Sequence, residues 1–377
     1  MNRYSIVKEV GKGAYGTVWK AVDKMMNKVV AIKKINSKVF QWQECLNVAE
    51  VRCLKELVHP NVVSLNKVIM LNNTLYLVFE WMESDLSDII KAKGRPFSEE
   101  EVRNISFQLF KAVEHMHKEG YCHRDLKPEN VLVSGDVIKI ADFGLAINML
   151  YEAGKPLQSY VATRPYRAPE LLLGSTDYDF AIDIWAMGVI MVQLFTRYPL
   201  FLCSNAANQI RKICHVIGSP NTQTWPRGLE IASSINYSFP KEFTSVDSTK
   251  RLSSLLGRSV SAQAIDLIKR LLSWDPKNRP KAIEALKHPF FYPCYNIKTP
   301  ISQKDGDNRP TSLTVGEFKC GSEYSIREQK SYLGSYQIPA PSSFTNLQSY
   351  PFPGMFPKLF NPRVPDDKIN TLQGFGD

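Results

Sequence analysis

The fold of this 377-residue chain is decided by His-Arg-Asp-Leu-Lys-Pro-Glu-Asn at residues 123–130 and by Asp-Phe-Gly at residues 142–144. Within the first stretch, Asp125 can orient an attacking hydroxyl group and accept its proton, and Lys127 can contact a phosphate. Asn130 and Asp142 add oxygen atoms, which hard divalent cations such as Mg2+ prefer as ligands. A base, a lysine and two metal ligands at this spacing are typical of phosphoryl transfer. Two unrelated polar loops are a far weaker interpretation of so long a motif.

A glycine-rich segment, Gly-Lys-Gly-Ala-Tyr-Gly-Thr-Val, lies upstream at residues 11–18. Glycines let the backbone approach phosphate groups closely. Dinucleotide-binding folds use a similar spacing, but they need a helix directly after the glycines. Here two strands are predicted instead, at residues 17–22 and 28–35, joined by a polar turn. The expected nucleotide contacts in this region are Val10, Gly11, Gly13, Gly16, Val18 and Ala31.

Lys33 ends the sequence Val-Ala-Ile-Lys at residues 30–33 and is the expected partner of the α- and β-phosphates. Lys34 is the neighbouring alternative. Because side chains alternate along a strand, Lys33 lies on the same face as Ala31, and we expect this face to meet the nucleotide. Without the glycine-rich segment, a solvated strand lysine would be the better interpretation.

Apolar residues recur at three-residue steps between residues 42 and 57, which predicts one helix over this stretch. Glu50 lies on this helix and is the expected ion-pair partner of Lys33. Glu44 and Glu56 lie on the same helix, and the sequence does not fix which glutamate faces the lysine. The place of Glu50 directly before Val-Arg-Cys-Leu favours Glu50.

An apolar strand is predicted at residues 75–79, followed by Glu80-Trp81-Met82. The backbone groups of Glu80 and Met82 are expected to meet adenine there, at the connection between two lobes. Phe79 would form the back wall of the pocket, although a purely structural role in the core fits its chemistry equally well.

Residues 184–192 carry no charge and predict a buried core helix, because about 20 residues are needed to cross a bilayer. Asp183 and Gln193 flank this region, and two charged residues outside it are Glu170 in Ala-Pro-Glu at 168–170 and Arg279 in Asn-Arg-Pro at 278–280. We expect them to pair, since buried charges require partners.

Residues 1 to about 292 resemble the proline-directed protein kinases, the group that contains the cyclin-dependent and MAP kinases. Within it, they resemble the ciliary kinases related to male germ cell-associated kinase and intestinal cell kinase. The stretches that carry the resemblance are Trp-Gln-Glu-Cys-Leu-Asn at 42–47, Ile-Arg-Lys-Ile-Cys at 210–214, Gly-Ser-Pro at 218–220, Trp-Pro at 225–226, Ala-Ser-Ser at 232–234, Asn-Arg-Pro at 278–280 and Leu-Lys-His-Pro-Phe at 286–290. This implies an α+β, bilobal fold. The N-lobe, about residues 1–80, would hold a small antiparallel sheet and one regulatory helix, and the C-lobe, about residues 83–292, would be larger and mainly helical.

The resemblance also implies ATP as phosphate donor, Mg2+ as cofactor and a serine or threonine followed by proline as acceptor. Lys127 fits this acceptor class, because tyrosine-specific kinases usually place arginine and alanine in this part of the loop. Thr163 would hydrogen-bond near Asp125 and Lys127. Arg164 and Arg167 resemble the arginines that shape the acceptor-side pocket.

The activation segment departs from its relatives, which carry Thr-x-Tyr where this chain has Gln158-Ser159-Tyr160. Glutamine cannot accept a phosphate. We therefore expect autophosphorylation of Tyr160, with Ser159 as a second site. A phosphate acts by recruiting arginines, here Arg124, Arg164 and Arg167. Pro165 is a second departure, because relatives usually have tryptophan there, and it fixes the local backbone angle.

Composition limits the remaining possibilities. Seven cysteines without a C-x-x-C pair argue against a disulfide framework or a zinc site, and a reducing cytosolic or nuclear compartment is expected. Residues 1–4 run directly into the first predicted strand, so no signal peptide is expected. The net charge is +10, of which residues 293–377 contribute +1 from nine basic and eight acidic residues. The sequence contains no recognisable nucleic-acid-binding module, so we do not expect nucleic-acid binding. Membrane binding is not expected either. The positive charge instead predicts a basic surface suited to acidic partners.

Residues 293–377 form a tail with ten of the 23 prolines and 11 Phe or Tyr residues, and we expect it to be disordered. A docking segment that binds a partner or an upstream kinase and a tail without function are both compatible with this composition. Tyr-Pro-Phe-Pro-Gly-Met-Phe-Pro at residues 350–357 is the most distinctive part.

Three classes of protein share the fold that these motifs predict. An active, monomeric serine/threonine kinase agrees with every catalytic position. A pseudokinase scaffold would normally have lost Lys33, Asp125, Asn130 or Asp142, and all four are present. A cyclin-dependent kinase would need a partner, but Asn-Val-Ala-Glu-Val-Arg at residues 47–52 does not match the regulatory helix of cyclin users. A role in cilium or flagellum length control is suggested by the family resemblance alone.

Overall fold

The computed structural model describes residues 3–13, 16–38 and 42–295. They form an N-terminal antiparallel sheet with two short helices, followed by a larger and mainly helical part. This is the expected α+β, bilobal arrangement. The tail from residue 296 onward, including residues 350–357, lies outside the described residues. Among the described residues, none of the helices combines the length and the apolar character needed to span a membrane.

The N-terminal sheet has five strands in the spatial order β1-β2-β3-β5-β4. Their bounds are β1 Tyr4–Gly13, β2 Gly16–Asp23, β3 Lys28–Lys38, β4 Leu65–Leu71 and β5 Thr74–Glu80. Asn72 and Asn73 form the two-residue turn between β4 and β5, with φ angles of 50° and 57°. Asparagine tolerates this left-handed conformation, which gives a hairpin turn the twist that its strands need. The strands predicted at 17–22, 28–35 and 75–79 are present and slightly longer.

The helix predicted over residues 42–57 is wrong in one respect, because the structure divides it into α1 Trp42–Asn47 and α2 Ala49–Glu56. Val48 interrupts it with an extended backbone, φ −60° and ψ 126°. Asparagine and valine are weak helix formers, and the Val48 side chain packs against the core. The three-residue spacing therefore identified the buried face correctly without showing the break.

The C-terminal part is built from ten helices among the described residues. Their bounds are α3 Leu86–Ala92, α4 Glu99–Lys118, α5 Pro169–Leu172, α6 Ala181–Thr196, α7 Ala206–Ile217, α8 Pro226–Ser234, α9 Ser248–Leu256, α10 Ala262–Leu271, α11 Ala282–Leu286 and α12 Tyr292–Tyr295. Helix α4 starts with a capping box, in which Ser98 and Glu101 each accept a hydrogen bond from the other's backbone N–H.

Helix α6 is the buried core helix that the sequence predicted, since 14 residues in a row, 182–195, are buried. Gly188 permits its close packing on α10. A β-carbon there would lie 2.9 Å from side-chain atoms of Leu271 and Leu272. Near the start of α6, Arg279 and Glu170 form the expected pair, with Nη1–Oε1 and Nη2–Oε2 distances of 2.7 and 2.8 Å.

Five short strands hold the segments that carry the polar motifs. They are β6 Ser84–Asp85, β7 Tyr121–Cys122, β8 Val131–Ser134, β9 Val137–Ile140 and β10 Ile147–Asn148. Strands β7 and β8 bracket residues 123–130, while β9 and β10 bracket residues 142–144. The ring of Phe143 is fully buried and packs edge-to-face with the ring of His123, with 5.0 Å between the two ring centroids. This contact fixes the two motifs against each other.

Candidate active site

Asp125 lies in the loop between β7 and β8, and both of its carboxylate oxygens are engaged. Oδ1 accepts from the backbone N–H and the hydroxyl of Thr163, both at 2.7 Å. Oδ2 accepts from Lys127 Nζ at 2.7 Å, and the same ammonium donates to the Thr163 hydroxyl oxygen at 2.7 Å. The three residues predicted to act on the acceptor hydroxyl therefore form one connected group.

Asp183, at the start of α6, holds the backbone of this loop. The sequence reasoning missed this role. Asp183 is 1% exposed and accepts from the backbone N–H groups of His123 and Arg124 at 2.9 and 3.0 Å. Burial alone would raise the pKa of Asp183. The hydrogen bond to His117 and the charge of His117 outweigh burial, so the pKa of Asp183 is lowered overall. An aspartate at the edge of an uncharged helix was the available signal, because such a buried charge requires partners.

Of the two predicted metal ligands, Asn130 is the last residue of the loop before β8, and Asp142 follows β9. The Asn130 amide group donates from Nδ2 to the Asp125 backbone oxygen at 2.9 Å, which leaves its Oδ1 as the atom for a cation. Asp142 is held in a left-handed backbone conformation, φ 60°, and accepts from Lys33 through Oδ1. An amide oxygen and a carboxylate are suitable donors for a hard divalent cation, so these residues fit one.

Lys33 joins the two lobes. Its Nζ lies 2.8 Å from Glu50 Oε2 and 2.8 Å from Asp142 Oδ1. Burial by itself would lower the pKa of Lys33, but the nearby Glu50 and Asp142 carboxylates raise it overall, so the ammonium stays charged. The neighbouring Lys34 is half-exposed, whereas Lys33 is buried. The structure thus selects Lys33.

The rotation of α2 selects Glu50 from the three candidate glutamates. Glu50 is buried against Lys33, whereas Glu44 is exposed on α1. Glu56, at the other end of α2, accepts a hydrogen bond from the buried Tyr121 hydroxyl at 2.7 Å. Tyr121 is on β7, directly before the catalytic loop, so both ends of α2 are tied to groups around the site. Sequence reasoning missed Tyr121, because nothing local marks this long-range contact.

The predicted nucleotide contacts of the small lobe lie in β1, β2, β3 and β5 and in the connection after β5. Val18 pairs with Lys33 across β2 and β3, and Ala31 pairs with Phe79 across β3 and β5. Phe79 and Met82 are buried, and Phe79 belongs to the main core. The predicted contacts in β1 are exposed: Val10, Gly11 and Gly13.

At two of these positions, Gly16 and Glu80, local contacts explain the residue type. At Gly16 a β-carbon would lie 1.9 Å from the Lys34 backbone oxygen, so only glycine fits beside β3. The Glu80 carboxylate accepts from Lys139 Nζ at 2.7 Å and from the Ser64 backbone N–H at 2.8 Å. Together with the hydrogen bond that the Glu80 backbone N–H donates to the Ser64 carbonyl oxygen at 3.2 Å, these contacts hold the start of the connection between the lobes.

The cleft thus contains a lysine–glutamate pair from the small lobe, a base with its lysine and threonine, and two oxygen ligands. The family model for the protein kinase domain matches residues 4–291. The chain belongs to the protein kinase family. Its members use ATP and a divalent metal, which neutralises the charge that spreads over the phosphoryl oxygens during transfer.

Three relatives illustrate the similarity. Cyclin-dependent kinase F-4 of Oryza sativa subsp. japonica is 46% identical over 349 residues, which cover 93% of this chain and 74% of that protein. Serine/threonine-protein kinase MAK of Mus musculus is 44% identical over 292 residues, or 77% of this chain and 46% of that protein. Serine/threonine-protein kinase ICK of Mus musculus is 43% identical over 292 residues, or 77% and 45%. The match spans less than half the length of the MAK and ICK proteins.

The chain is a serine/threonine protein kinase of the type to which these relatives belong. Its own residues supply the positioning that the reaction needs. Asp125 Oδ2 accepts from Lys127 Nζ at 2.7 Å and Asp142 Oδ1 accepts from Lys33 Nζ at 2.8 Å, so each of these two carboxylates has a lysine beside it. The Lys33–Glu50 pair is formed in this single chain.

The activation segment brings together two of the three predicted phosphate-binding arginines. The hydroxyl of Tyr160 lies 3.5 Å from Arg164 Nη2, and its ring lies 4.3 Å from the Arg167 guanidinium carbon. Hydrogen bonding to Arg164 and then to Arg167 lowers the pKa of Tyr160. Arg124 is not part of this group, because it contacts Leu145 and Tyr178. Ser159 is half-exposed next to Tyr160.

Proposed function

We propose that this kinase is proline-directed, uses Mg2+ and is activated by phosphorylation of Tyr160. The observation that carries the proline preference is the backbone of Ala162, which lies in the left-handed region with φ 65°. Its carbonyl oxygen accepts from Arg167 Nη2 at 2.8 Å, and the Val161 carbonyl oxygen accepts from Arg167 Nε at 2.8 Å. Both carbonyls of this strained turn therefore already accept from Arg167.

The consequence follows from hydrogen-bond satisfaction. Ala162 directly precedes Thr163, which touches Asp125, so this turn lies next to the acceptor hydroxyl. An ordinary residue after the acceptor brings a backbone N–H, and burying it without an acceptor costs about 1–3 kcal/mol. Proline has no N–H and avoids that cost. The turn would accordingly favour proline over alanine by about tenfold to a hundredfold in kcat/KM.

Three peptides test this proposal: they differ only in having proline, alanine or N-methylalanine after the acceptor. N-Methylalanine also lacks the N–H, so it should recover most of the proline rate. Replacing Arg167 with methionine should lower the proline-to-alanine ratio of kcat/KM, whereas Arg211→Met, at an exposed arginine, should leave it unchanged. The ratio is independent of the active enzyme fraction. An N-methylalanine peptide as poor as the alanine peptide would contradict the proposal.

Mg2+ is proposed because Asn130 and Asp142 supply oxygen donors, and because Mg2+ usually takes its remaining ligands from phosphates and water. Activity measured with Mg2+, Mn2+ or Ca2+ at equal concentration tests it. We expect Mg2+ to support turnover, Ca2+ to fail, and Asp142→Asn to abolish metal-dependent activity. An enzyme that works with Mn2+ and not with Mg2+ would contradict this assignment.

Phosphorylation of Tyr160 is supported by its exposure and by its two arginines. The side chain is 69% exposed, so its hydroxyl is accessible to a second copy of the kinase or to an upstream kinase. A phosphate there would gain charge-assisted hydrogen bonds from Arg164 and Arg167. Phosphosite mapping after incubation with ATP should find Tyr160, with Ser159 in second place. Tyr160→Phe should lose most activity and Ser159→Ala little. Full activity of Tyr160→Phe would contradict the proposal.

The kinase is further proposed to act as a monomer on Ser/Thr-Pro sites in proteins of the cytoplasm or nucleus, and to act at the cilium or flagellum where cells have one. The Lys33–Glu50 pair supports independence from a partner, whereas the name of cyclin-dependent kinase F-4 favours the alternative of a partner-dependent enzyme. Light scattering combined with activity of the isolated chain separates the two. Activity that appears only after adding cell extract would favour the alternative and a docking partner or upstream kinase.

A further inference from the structure

Arg124, which precedes the catalytic Asp125, is directed at neutral groups. It is 7% exposed and has a left-handed backbone with φ 67°. Its Nε donates to the Leu145 carbonyl oxygen at 2.7 Å, directly after the Asp-Phe-Gly motif, and its Nη1 donates to the Tyr178 hydroxyl oxygen at 3.1 Å. The guanidinium group therefore connects the catalytic loop to two other segments without any phosphate.

Tyr178 continues this connection. Its side chain is 7% exposed, and its hydroxyl donates to the Gln158 carbonyl oxygen at 2.8 Å. Burial raises the pKa of Tyr178, so the hydroxyl keeps its proton and can accept from Arg124 while donating to Gln158. The contact uses the backbone of Gln158, and the glutamine side chain is exposed.

A second bond fixes the same part of the activation segment. The Leu157 backbone N–H donates to the Thr176 carbonyl oxygen at 2.9 Å. Residues 157 and 158 are thus tied to residues 176 and 178, in the loop that leads into α6. Because Asp183 of α6 also holds the backbone of Arg124, the activation segment, the catalytic loop and the start of α6 form one unit.

We propose that Tyr178 is a positioning residue which links Arg124 to the Gln158 backbone, and so holds this part of the activation segment in place without a phosphate at position 158. Gln158 is then compatible with full activity and does not mark a missing activation step. The inference rests on the kinase activity and is independent of the proline preference and of Tyr160 phosphorylation.

The first test compares Tyr178→Phe with Tyr295→Phe. Both changes remove a tyrosine hydroxyl that donates to a backbone carbonyl, and Tyr295 bonds Leu286 at 3.1 Å, near the end of the domain. We expect Tyr178→Phe to lower kcat/KM for a protein substrate by about tenfold, the size expected for one lost hydrogen bond to a charged group. The KM for ATP should change less than about twofold, and Tyr295→Phe should change neither.

Hydrogen–deuterium exchange gives a readout that does not need activity. With phosphatase-treated proteins, amides in residues 150–161 should exchange at least about tenfold faster in Tyr178→Phe than in wild type. A residue that only stabilises the fold would instead lower the melting temperature and leave this segment protected well below it. Wild-type protection and activity of Tyr178→Phe would overturn the proposal. Loss of substrate phosphorylation in every protein, with this exchange difference intact, would count against the kinase function alone.

The second test changes Gln158 and applies even where Tyr178→Phe does not fold. Gln158→Glu in the wild-type background should leave activity within about twofold, because Arg124 is already engaged by Tyr178. In the Tyr178→Phe background the same glutamate should recover part of the lost activity by pairing with the freed arginine. A tenfold or greater gain from Gln158→Glu alone would show that position 158 lacks an activating charge and would overturn the proposal.

Discussion

Thr163 donates two hydrogen bonds to a single oxygen of Asp125, with its backbone nitrogen and its hydroxyl oxygen both 2.7 Å from Oδ1. The two residues are 38 positions apart in the sequence, and Lys127 connects them a second time by donating to both Asp125 Oδ2 and the Thr163 hydroxyl oxygen. The orientation of the base is thus coupled to the conformation of the segment that receives the protein substrate.

Replacing Thr163 with valine should reduce kcat strongly. Valine keeps the shape and the backbone N–H, but it removes the hydroxyl that donates to an ionised carboxylate. One such hydrogen bond is worth about 1.5–3 kcal/mol, so we expect kcat to fall by about tenfold to a hundredfold. Thr163→Ser restores the hydroxyl and should stay within a few-fold of wild type. Steady-state kinetics with saturating ATP measure this, and equal rates for the valine and serine variants would contradict it.

Glu50→Gln should reduce activity by about a hundredfold or more, because it removes one charge of a buried ion pair and leaves Lys33 with Asp142 alone. The control is Glu44→Gln, an exposed glutamate on α1, which should stay within about twofold of wild type. Activity and ATP binding are measured for both. If Glu44→Gln is the more damaging change, the orientation of α2 described above is incorrect.

Glu170→Gln should destabilise the protein by about 3–5 kcal/mol, since it leaves the Arg279 guanidinium group buried without its counter-charge. The Arg279 side chain is 0% exposed and the Glu170 side chain 4%. For comparison, Arg227→Met breaks an exposed pair with Glu230 and should change the free energy of unfolding by about 0.5 kcal/mol or less. Urea unfolding followed by tryptophan fluorescence provides both values. Similar values for the two variants would mean that burial of the pair has little effect.

Acid should destabilise the protein through His59. Its ring stacks on His115 at 5.1 Å, and burial, followed by the charges of His115, Lys111 and Lys139, lowers the pKa of His59 to about 4. Between pH 6.5 and 4 the unfolded chain therefore binds more protons at His59 than the folded chain does. The contribution of neutral His59 to the free energy of unfolding is complete above pH 6.5 and is lost as the pH falls towards 4. For a half-buried ring we expect about 1–2 kcal/mol.

His59→Asn tests this pH dependence. Asparagine can still accept the hydrogen bond that the Asn61 backbone N–H donates to the His59 ring, but it does not titrate. The loss of unfolding free energy between pH 7 and pH 4.5 should therefore be smaller by about 1 kcal/mol. His215→Asn, at an exposed histidine, should leave the wild-type slope. An unchanged slope in His59→Asn would assign the acid effect to other groups.

Much of the site could be predicted because its residues lie in short, contiguous motifs. Asp125, Lys127 and Asn130 share one loop, and their chemistry depends on spacing that the sequence fixes directly. The Glu170–Arg279 pair, 109 residues apart, could be predicted as well, since each member lies in a recognisable motif and buried charges require partners.

Other features could not be predicted because they depend on contacts between distant segments. The break at Val48 and the choice among three glutamates depend on how α2 packs on the sheet and the Asp-Phe-Gly segment, and periodicity alone gives only the buried face. Tyr121 and Tyr178 lie outside the motifs, and no local pattern indicates the partners of their hydroxyls. Their roles appear only when their hydroxyls meet Glu56, Arg124 and Gln158.

The sequence by itself determined the chemistry of this protein: a base, a lysine, two oxygen ligands and a strand lysine, in an order that specifies phosphoryl transfer. Only the tertiary structure decided how these groups are held. It pairs Lys33 with Glu50, and it places Arg124 where it donates to the Tyr178 hydroxyl and Arg167 where it donates to the Ala162 carbonyl. The physical reason is that residue type and local spacing set which groups can react, whereas a hydrogen bond or ion pair requires atoms from distant segments to come within about 3 Å of each other.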